Sequence, residues 1–419
     1  MLVRGAPFVK LLQRGQRTQK LIREGVPRCQ PVEHTIAQVL RLARIMGITR
    51  VGNVTGLDSV GIPVVMVCRP NSRSVAVSQG KGLDLASARA SGLMEAAELY
   101  HAETMTLPLR LASCEELRYQ HDLVVDGLPQ MSPSRFHPNL RLLWCESLNL
   151  LKGQVVLVPY ELVHTNYTLP LPDGYGCFLS SSNGLASGNE LVEAISHAIC
   201  EVVERDATTL WRLRSDSQID EHRVDISTIN DRSCLRILEK FGRAGLTVVV
   251  WDITSDVGLP TFACLIAPAE NCEIWHSSVA MGYGCHPARD VALLRALTEA
   301  AQVRLTIISG VRDDVTDECY AQLLNTNVIT AVQQRLGMSM GRRKMSDIPN
   351  WETDTFEEDV EIELQCLKQV GVEHVLAIDL SKPEFGIPVV KVIIPGLESS
   401  LRQGSLVGPR GKAAMRRQK

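Results

Sequence analysis

Residues 88–98 read ARASGLMEAAE, and their skeleton returns twice downstream. Ala88 and Gly92 are followed by Glu95 and Glu98. Ala194, Ala198, Glu201 and Glu204 repeat these intervals, as do Ala292, Ala296, Glu299 and Gln302. Positions three and four apart share one face of an α-helix. Each copy therefore predicts a helix with two small residues for close helix packing and a polar pair beyond them. In the second copy the acidic stripe begins at Glu193 and includes His197. Leu191, Ile195, Ala198, Ile199, Val202 and Val203 fall on the other side. Arg205 is the one cation close by, whereas a face selected for solubility mixes signs at i,i+4. Carboxylates gathered by a fold repel one another unless a cation joins them.

Glycines precede each helix. The segments are Ser78-Gln79-Gly80-Lys81-Gly82, Ser182-Asn183-Gly184-Leu185-Ala186-Ser187-Gly188-Asn189 and Gly282-Tyr283-Gly284-Cys285-His286-Pro287. Glycine lets the backbone turn sharply and approach a ligand, and a helix N-terminus suits phosphate. Three such loops with three polar helices point to a Mg²⁺-dependent nucleotide site. G-x4-G-K-[ST] is absent, so this is not a Walker A loop.

The chain has 419 residues, 45% hydrophobic and 22% charged, with net charge −3. This length and composition suit a large folded core, and the charge gives no case for nucleic acid. No apolar run approaches the roughly 18 residues of a membrane span. The twelve cysteines lie scattered without a C-x2-C pair, which argues against zinc or iron–sulfur ligation. Cys68, Cys200 and Cys264 read as buried thiols of a reducing, cytoplasmic setting. Arg4, Lys10, Arg14, Arg17, Lys20 and Arg23 open the chain with no acid among them. Residues 1–25 are expected to be a flexible basic arm and 401–419 a flexible basic tail. Between them, 26–400 reads as one large α/β domain with internal pseudo-repeats of strands and acidic helices. Helices are expected near 32–46, 84–101, 189–210, 290–309 and 356–370. Strands are expected near 64–67, 74–77, 142–145, 155–158, 246–251, 261–266, 374–379 and 389–394.

From about residue 28 to 398 the chain resembles the YcaO-domain family of ATP-dependent peptide-backbone-modifying enzymes. The resemblance is carried by Gly80-Lys81-Gly82 with Glu95 and Glu98, by Ser182 to Asn189 leading into Glu193, Glu201, Glu204 and Arg205, and by Leu297 to Arg304. Gly47 to Arg50, Thr55 to Asp58, Gly61-Ile62-Pro63 and Pro395-Gly396-Leu397-Glu398 are similar to the branch that works with a TfuA-type partner and is associated with thioamides. The resemblance implies ATP and Mg²⁺ as cofactors. It implies metal-holding roles for Glu95, Glu98, Glu193, Glu201 and Glu204. Asn189, Arg205, Lys81, Ser182, Asn183, Glu193, Glu299 and Gln302 are implied at the nucleotide, with Arg28 and Thr35 by a looser match. Glu201, Glu204 and Arg205 are the implied catalytic set. Leu99 stands where the family often has Arg, and the Pro-rich end of azoline-forming members is absent.

The implied activity is ATP-driven O-phosphorylation of a backbone amide, giving a thioamide with a TfuA-type partner and a sulfide donor. Azoline formation at Cys, Ser or Thr is the alternative within the family. An accessory role in methylthiolation of a ribosomal protein, or a non-catalytic peptide-presenting adaptor, are further alternatives. The expected partners are a peptide or protein substrate and a second copy of the chain, with no nucleic acid and no membrane. His197, the Cys285-His286 pair, Trp251 and Trp275 read more simply as structural residues.

Overall fold

The computed structural model describes residues 17–21, 25–172, 174–269, 279–312, 333, 341–399 and 406–416. The chain runs through α1 (Val32–Leu42), β1 (Arg50–Asn53), β2 (Val64–Cys68), β3 (Val77–Lys81) and α2 (Leu85–Glu103). It continues through β4 (Arg110–Ala112), α3 (Cys114–Leu117), β5 (Leu142–Asn149), β6 (Gln154–Pro159), β7 (Leu185–Ser187) and α4 (Leu191–Arg212). Then come α5 (Asp216–Glu221), α6 (Arg232–Arg243), β8 (Leu246–Asp252), β9 (Thr261–Pro268), β10 (Ala280–Cys285) and α7 (Arg289–Ser309). The last elements are α8 (Phe356–Gln369), β11 (Leu376–Asp379), β12 (Val389–Ile393) and α9 (Pro409–Arg416). The fold is mixed α/β, as expected, and its contacts group into two compact units interleaved along the chain.

One unit comprises Leu21–Ala96 and Arg214–Glu352. It holds the antiparallel sheets β1-β2-β3 and β10-β9-β8. Helix α7 lies along β10, and α6 packs beside it. Ile237, Phe241, Phe262, Ile266, Leu293 and Leu297 form a core sealed from water. Asp231 caps α6 by accepting from Cys234 N, and Gly310 ends α7 in the left-handed region at φ 59°.

The other unit comprises Met1–Lys20, Ala97–Leu213 and Thr353–Lys419. Its sheet runs β4-β5-β11-β12-β7 with β6 also on β5, and every pairing is antiparallel. Helix α4 covers β12 and β7 and meets α8 on another side. That explains burial well beyond one apolar stripe, including Ala194, Ser196, Cys200, Val203 and Ala207.

The glycine segments differ from the expected loops. Gln79 to Lys81, Leu185 to Ser187 and Gly282 to Cys285 are strands. Their glycines serve strand–helix contact. A Cβ on Gly80 would stand 2.0 Å from Ala88 O and 2.1 Å from Gly92 N, and one on Gly284 would stand 2.2 Å from Ala292 O. The small residues of the first and third repeats therefore receive a strand, where helix–helix packing was expected. Strand β3 also begins later than 74–77, at Val77.

Some described residues of the two terminal segments make specific contacts. Residues 1–16, 22–24, 400–405 and 417–419 lie outside the described residues. Arg17 pairs with Glu358, Thr18 N donates to Glu357, and buried Lys20 meets Asp359 at 2.6 Å. The acidic first turn of α8 attracts these groups. Arg410 of α9 forks onto Asp206 with two 2.9 Å hydrogen bonds. Gly408 N and Gly411 N donate to Glu398. Asp206 and Glu398 are buried and need such donors, which the composition of the tail does not reveal.

Candidate active site

In the unit built on β3 and α7, the repeats meet through their glutamates. Glu95 accepts from Gln79 N at 3.2 Å, and Glu299 accepts from Tyr283 N at 3.2 Å. In both cases the acid lies 16 residues beyond the strand amide, which is the repeat expressed as a hydrogen bond. Lys81 and Glu299 form a half-buried ion pair at 2.6 Å, and Gln302 Nε2 donates to Gln79 O at 3.1 Å. Lys81, Glu299 and Gln302 therefore come together. Thr35 is buried on α1, and Arg28 precedes that helix.

The other unit gathers a second set. Glu98, one turn beyond Glu95 on α2, accepts from Ser187 N at 2.9 Å and Ser187 Oγ at 2.6 Å. Asn189 N donates to Glu193 at 3.0 Å, locking the entrance of α4. Glu201 and Glu204 stand 3.9 and 4.0 Å from the Arg205 guanidinium, at the limit of an ion pair. Glu193 and Glu204 are buried and Glu201 half-buried. Asn183 Oδ1 is buried without a hydrogen-bond partner among the described residues.

Residues that the repeat pattern did not mark also stand here. Lys391 of β12 is fully buried and donates to Ser181 O at 2.6 Å. Burial pulls its ammonium down to about 8, against the opposing pull of Glu201. His164 is held down to about 4 by burial and then by Lys391. Its Nε2 lies 2.8 Å from Tyr175 OH, and Tyr160 stacks on its ring. The signal for Lys391 was a lone cation in the apolar run 389–394. His164 carried no comparable mark.

The structural reading holds for His286, buried with Nδ1 accepting from Ala288 N, and for buried Trp251. Cys285 is buried, while His197 is exposed. Cys200 and Cys264 are buried as expected, and Cys68 is half-buried. Trp275 lies outside the described residues.

A family model described as YcaO cyclodehydratase, ATP- and Mg²⁺-binding, matches residues 79–398. The chain belongs to the YcaO family. An uncharacterized protein in the tfuA 3′ region of Rhizobium leguminosarum bv. trifolii is 36% identical over 371 residues, covering 87% of each chain. A Methanothermobacter thermautotrophicus protein is 35% identical over 364 residues, 84% of this chain and 90% of its own. YcaO from Methanopyrus kandleri, solved with AMPPCP and Mg²⁺, superposes with TM-score 0.72 at 22% identity, over 91% of this chain and 95% of that one. A heterocyclase in complex with substrate and cofactor gives 0.75 at 23% identity, over 92% of this chain and 54% of that one. These two likenesses show the shared fold.

ATP and Mg²⁺ are the cofactors of this YcaO chain. The donor set fits them: carboxylate oxygens are hard ligands suited to Mg²⁺, and Asn183 Oδ1 offers a buried acceptor. Among the described residues, no three His, Cys, Asp or Glu side chains stand close enough to hold a metal. Mg²⁺ commonly binds through one or two carboxylates together with nucleotide phosphates and water, so a closed protein cage is not required. No helix among the described residues is long and apolar enough to cross a membrane.

Proposed function

We propose that this YcaO protein activates a backbone amide of a peptide by ATP-dependent O-phosphorylation and yields a thioamide with a TfuA-type partner and a sulfide source. The observation that carries this reading is the 36% identity to the tfuA-region protein over 87% of both chains. The sequence resemblance to the TfuA-associated branch supports it.

Amide oxygen is a poor leaving group, and MgATP supplies the phosphoryl group that makes it a good one. Hydrosulfide adds to the carbonyl carbon and forms a C–S bond. The C–O bond breaks, the oxygen leaves on phosphate, and ADP is the other product. Glu95, Glu98, Glu193, Glu201 and Glu204 would hold Mg²⁺. Lys81, Ser182, Asn183, Asn189, Glu193, Arg205, Glu299 and Gln302 would surround the nucleotide, with Arg28 and Thr35 at its edge. Arg205, loosely held by Glu201 and Glu204, is suited to charge developing on the transferred group.

Intact-mass spectrometry of the cognate peptide, incubated with ATP, Mg²⁺, sulfide and the TfuA-type partner, tests the proposal. Thioamide formation adds about 16 Da by exchange of atoms, and azoline formation removes about 18 Da, whichever way phosphoryl transfer is used. The gain must require sulfide, because Met or Cys oxidation adds nearly the same mass. A loss with no sulfide-dependent gain assigns the protein to azoline chemistry.

A further inference from the structure

Lys391 is a charged side chain in a strand whose four other residues, Val389, Val390, Val392 and Ile393, are apolar and buried. Strand β12 lies between β11 and β7, so Lys391 sits between Ile378 and Leu185 in register. An ammonium has three N–H donors. Here one meets Ser181 O at 2.6 Å, and Glu201 attracts the charge without forming an ion pair with it among the described residues. Burying a charge so costs several kcal/mol before compensation. A neutral donor could satisfy the same carbonyl, so holding Ser181 does not by itself explain a charge.

The carbonyl belongs to a turn that β12 grips twice. Lys391 holds Ser181 O, while Val392 N donates to Gly184 O at 2.7 Å. Within the turn, Leu185 N donates to Ser182 O, and Asn183 N donates to Ser181 Oγ. Gly184 has φ 76°, and a Cβ there would meet Val392 O at 2.2 Å. This fixed turn presents Asn183, whose buried Oδ1 has no partner among the described residues.

We propose that Lys391 is a positioning residue of the nucleotide site: through Ser181 it fixes the Ser181–Gly184 turn for a nucleoside triphosphate and biases that turn toward an anion by its buried charge. This rests on the nucleotide site proposed above. Lys391→Gln keeps a donor and removes the charge. Calorimetry with ATP and Mg²⁺ should show binding weakened about tenfold or more, while the melting temperature without ligand stays level or rises. Lys391→Arg should recover most of the affinity. A merely structural lysine would instead lower the unliganded melting temperature and leave the affinity of folded molecules unchanged, which overturns the proposal. In the unmodified protein, amide exchange across Ser181–Gly184 must slow when ATP and Mg²⁺ are added. Unchanged exchange overturns the proposal even if Lys391→Gln does not fold. A wild-type protein silent to ATP and Mg²⁺ overturns the nucleotide reading itself, whereas binding with wild-type affinity by Lys391→Gln overturns the role of Lys391 alone.

Discussion

Glu201 and Glu204 sit one turn apart, with the Arg205 guanidinium at 3.9 and 4.0 Å. Glu201→Gln and Glu204→Gln should each abolish ATP turnover while leaving the circular dichroism unchanged, because an amide keeps the shape but removes a ligand charge. Near wild-type hydrolysis by either variant in the complete system would remove that residue from the metal set. His164 makes a separate prediction. Its imidazole is pushed from 6.5 to about 4, so between these values the unfolded chain takes up a proton that the folded chain refuses. Its contribution to stability is complete above pH 6.5 and is lost as pH falls toward 4. Urea melts should show a shallower acid decline for His164→Gln than for wild type, and parallel curves would contradict this. The glutamates were legible in the sequence because three copies share one spacing. Their strand partners were not: nothing local marks the Gln79 amide for the helix of its own repeat, or Ser187 for the helix of the preceding one.

Helices α2, α4 and α7 were legible because each is long and carries the same repeated skeleton. Strands β7 and β10 were not. Leu185–Ser187 is very short, and Gly282 and Gly284 resemble loop residues until the helix backbone beside them is known. Helix α6 escaped notice despite its Asp231 cap, and α9 was hidden by Pro409, Gly411 and a run of positive charge. The strand–helix contact can be tested directly. Gly284→Ala should destabilise by about 3 kcal/mol, since its Cβ would overlap the Ala292 carbonyl and backbone must move. Gly56→Ala, with nothing within 4 Å, should stay within about 0.5 kcal/mol of wild type. Equal denaturation midpoints for the two variants would refute the packing role. At the other end of the chain, Arg410→Ala should cost about 3 kcal/mol by removing the guanidinium that forks onto the buried Asp206 carboxylate. A flexible tail would instead give no change in the urea midpoint.

Family membership sets the chemistry of the whole chain, but the arrangement of its acids sets how that chemistry is assembled. Glu95 and Glu299 are engaged by strand amides, Glu98 by Ser187 and Glu193 by Asn189. Among the described residues, none of these forms a three-acid cage for a cation. Mg²⁺ dehydrates reluctantly and favours carboxylates supplemented by phosphate oxygens. Ligand that binds only the folded state raises stability with the logarithm of one plus the ratio of its free concentration to its Kd. Thermal melts should therefore show synergy. Millimolar Mg²⁺ alone and ATP with a chelator should each move the midpoint little, whereas ATP with Mg²⁺ should raise it by a few degrees, about 1 °C for each kcal/mol of binding in a chain this large. Glu201→Gln should remove most of the joint shift without lowering the unliganded midpoint. If Mg²⁺ alone gave the full shift, the acids would form a preassembled metal centre, and the nucleotide would be a later guest.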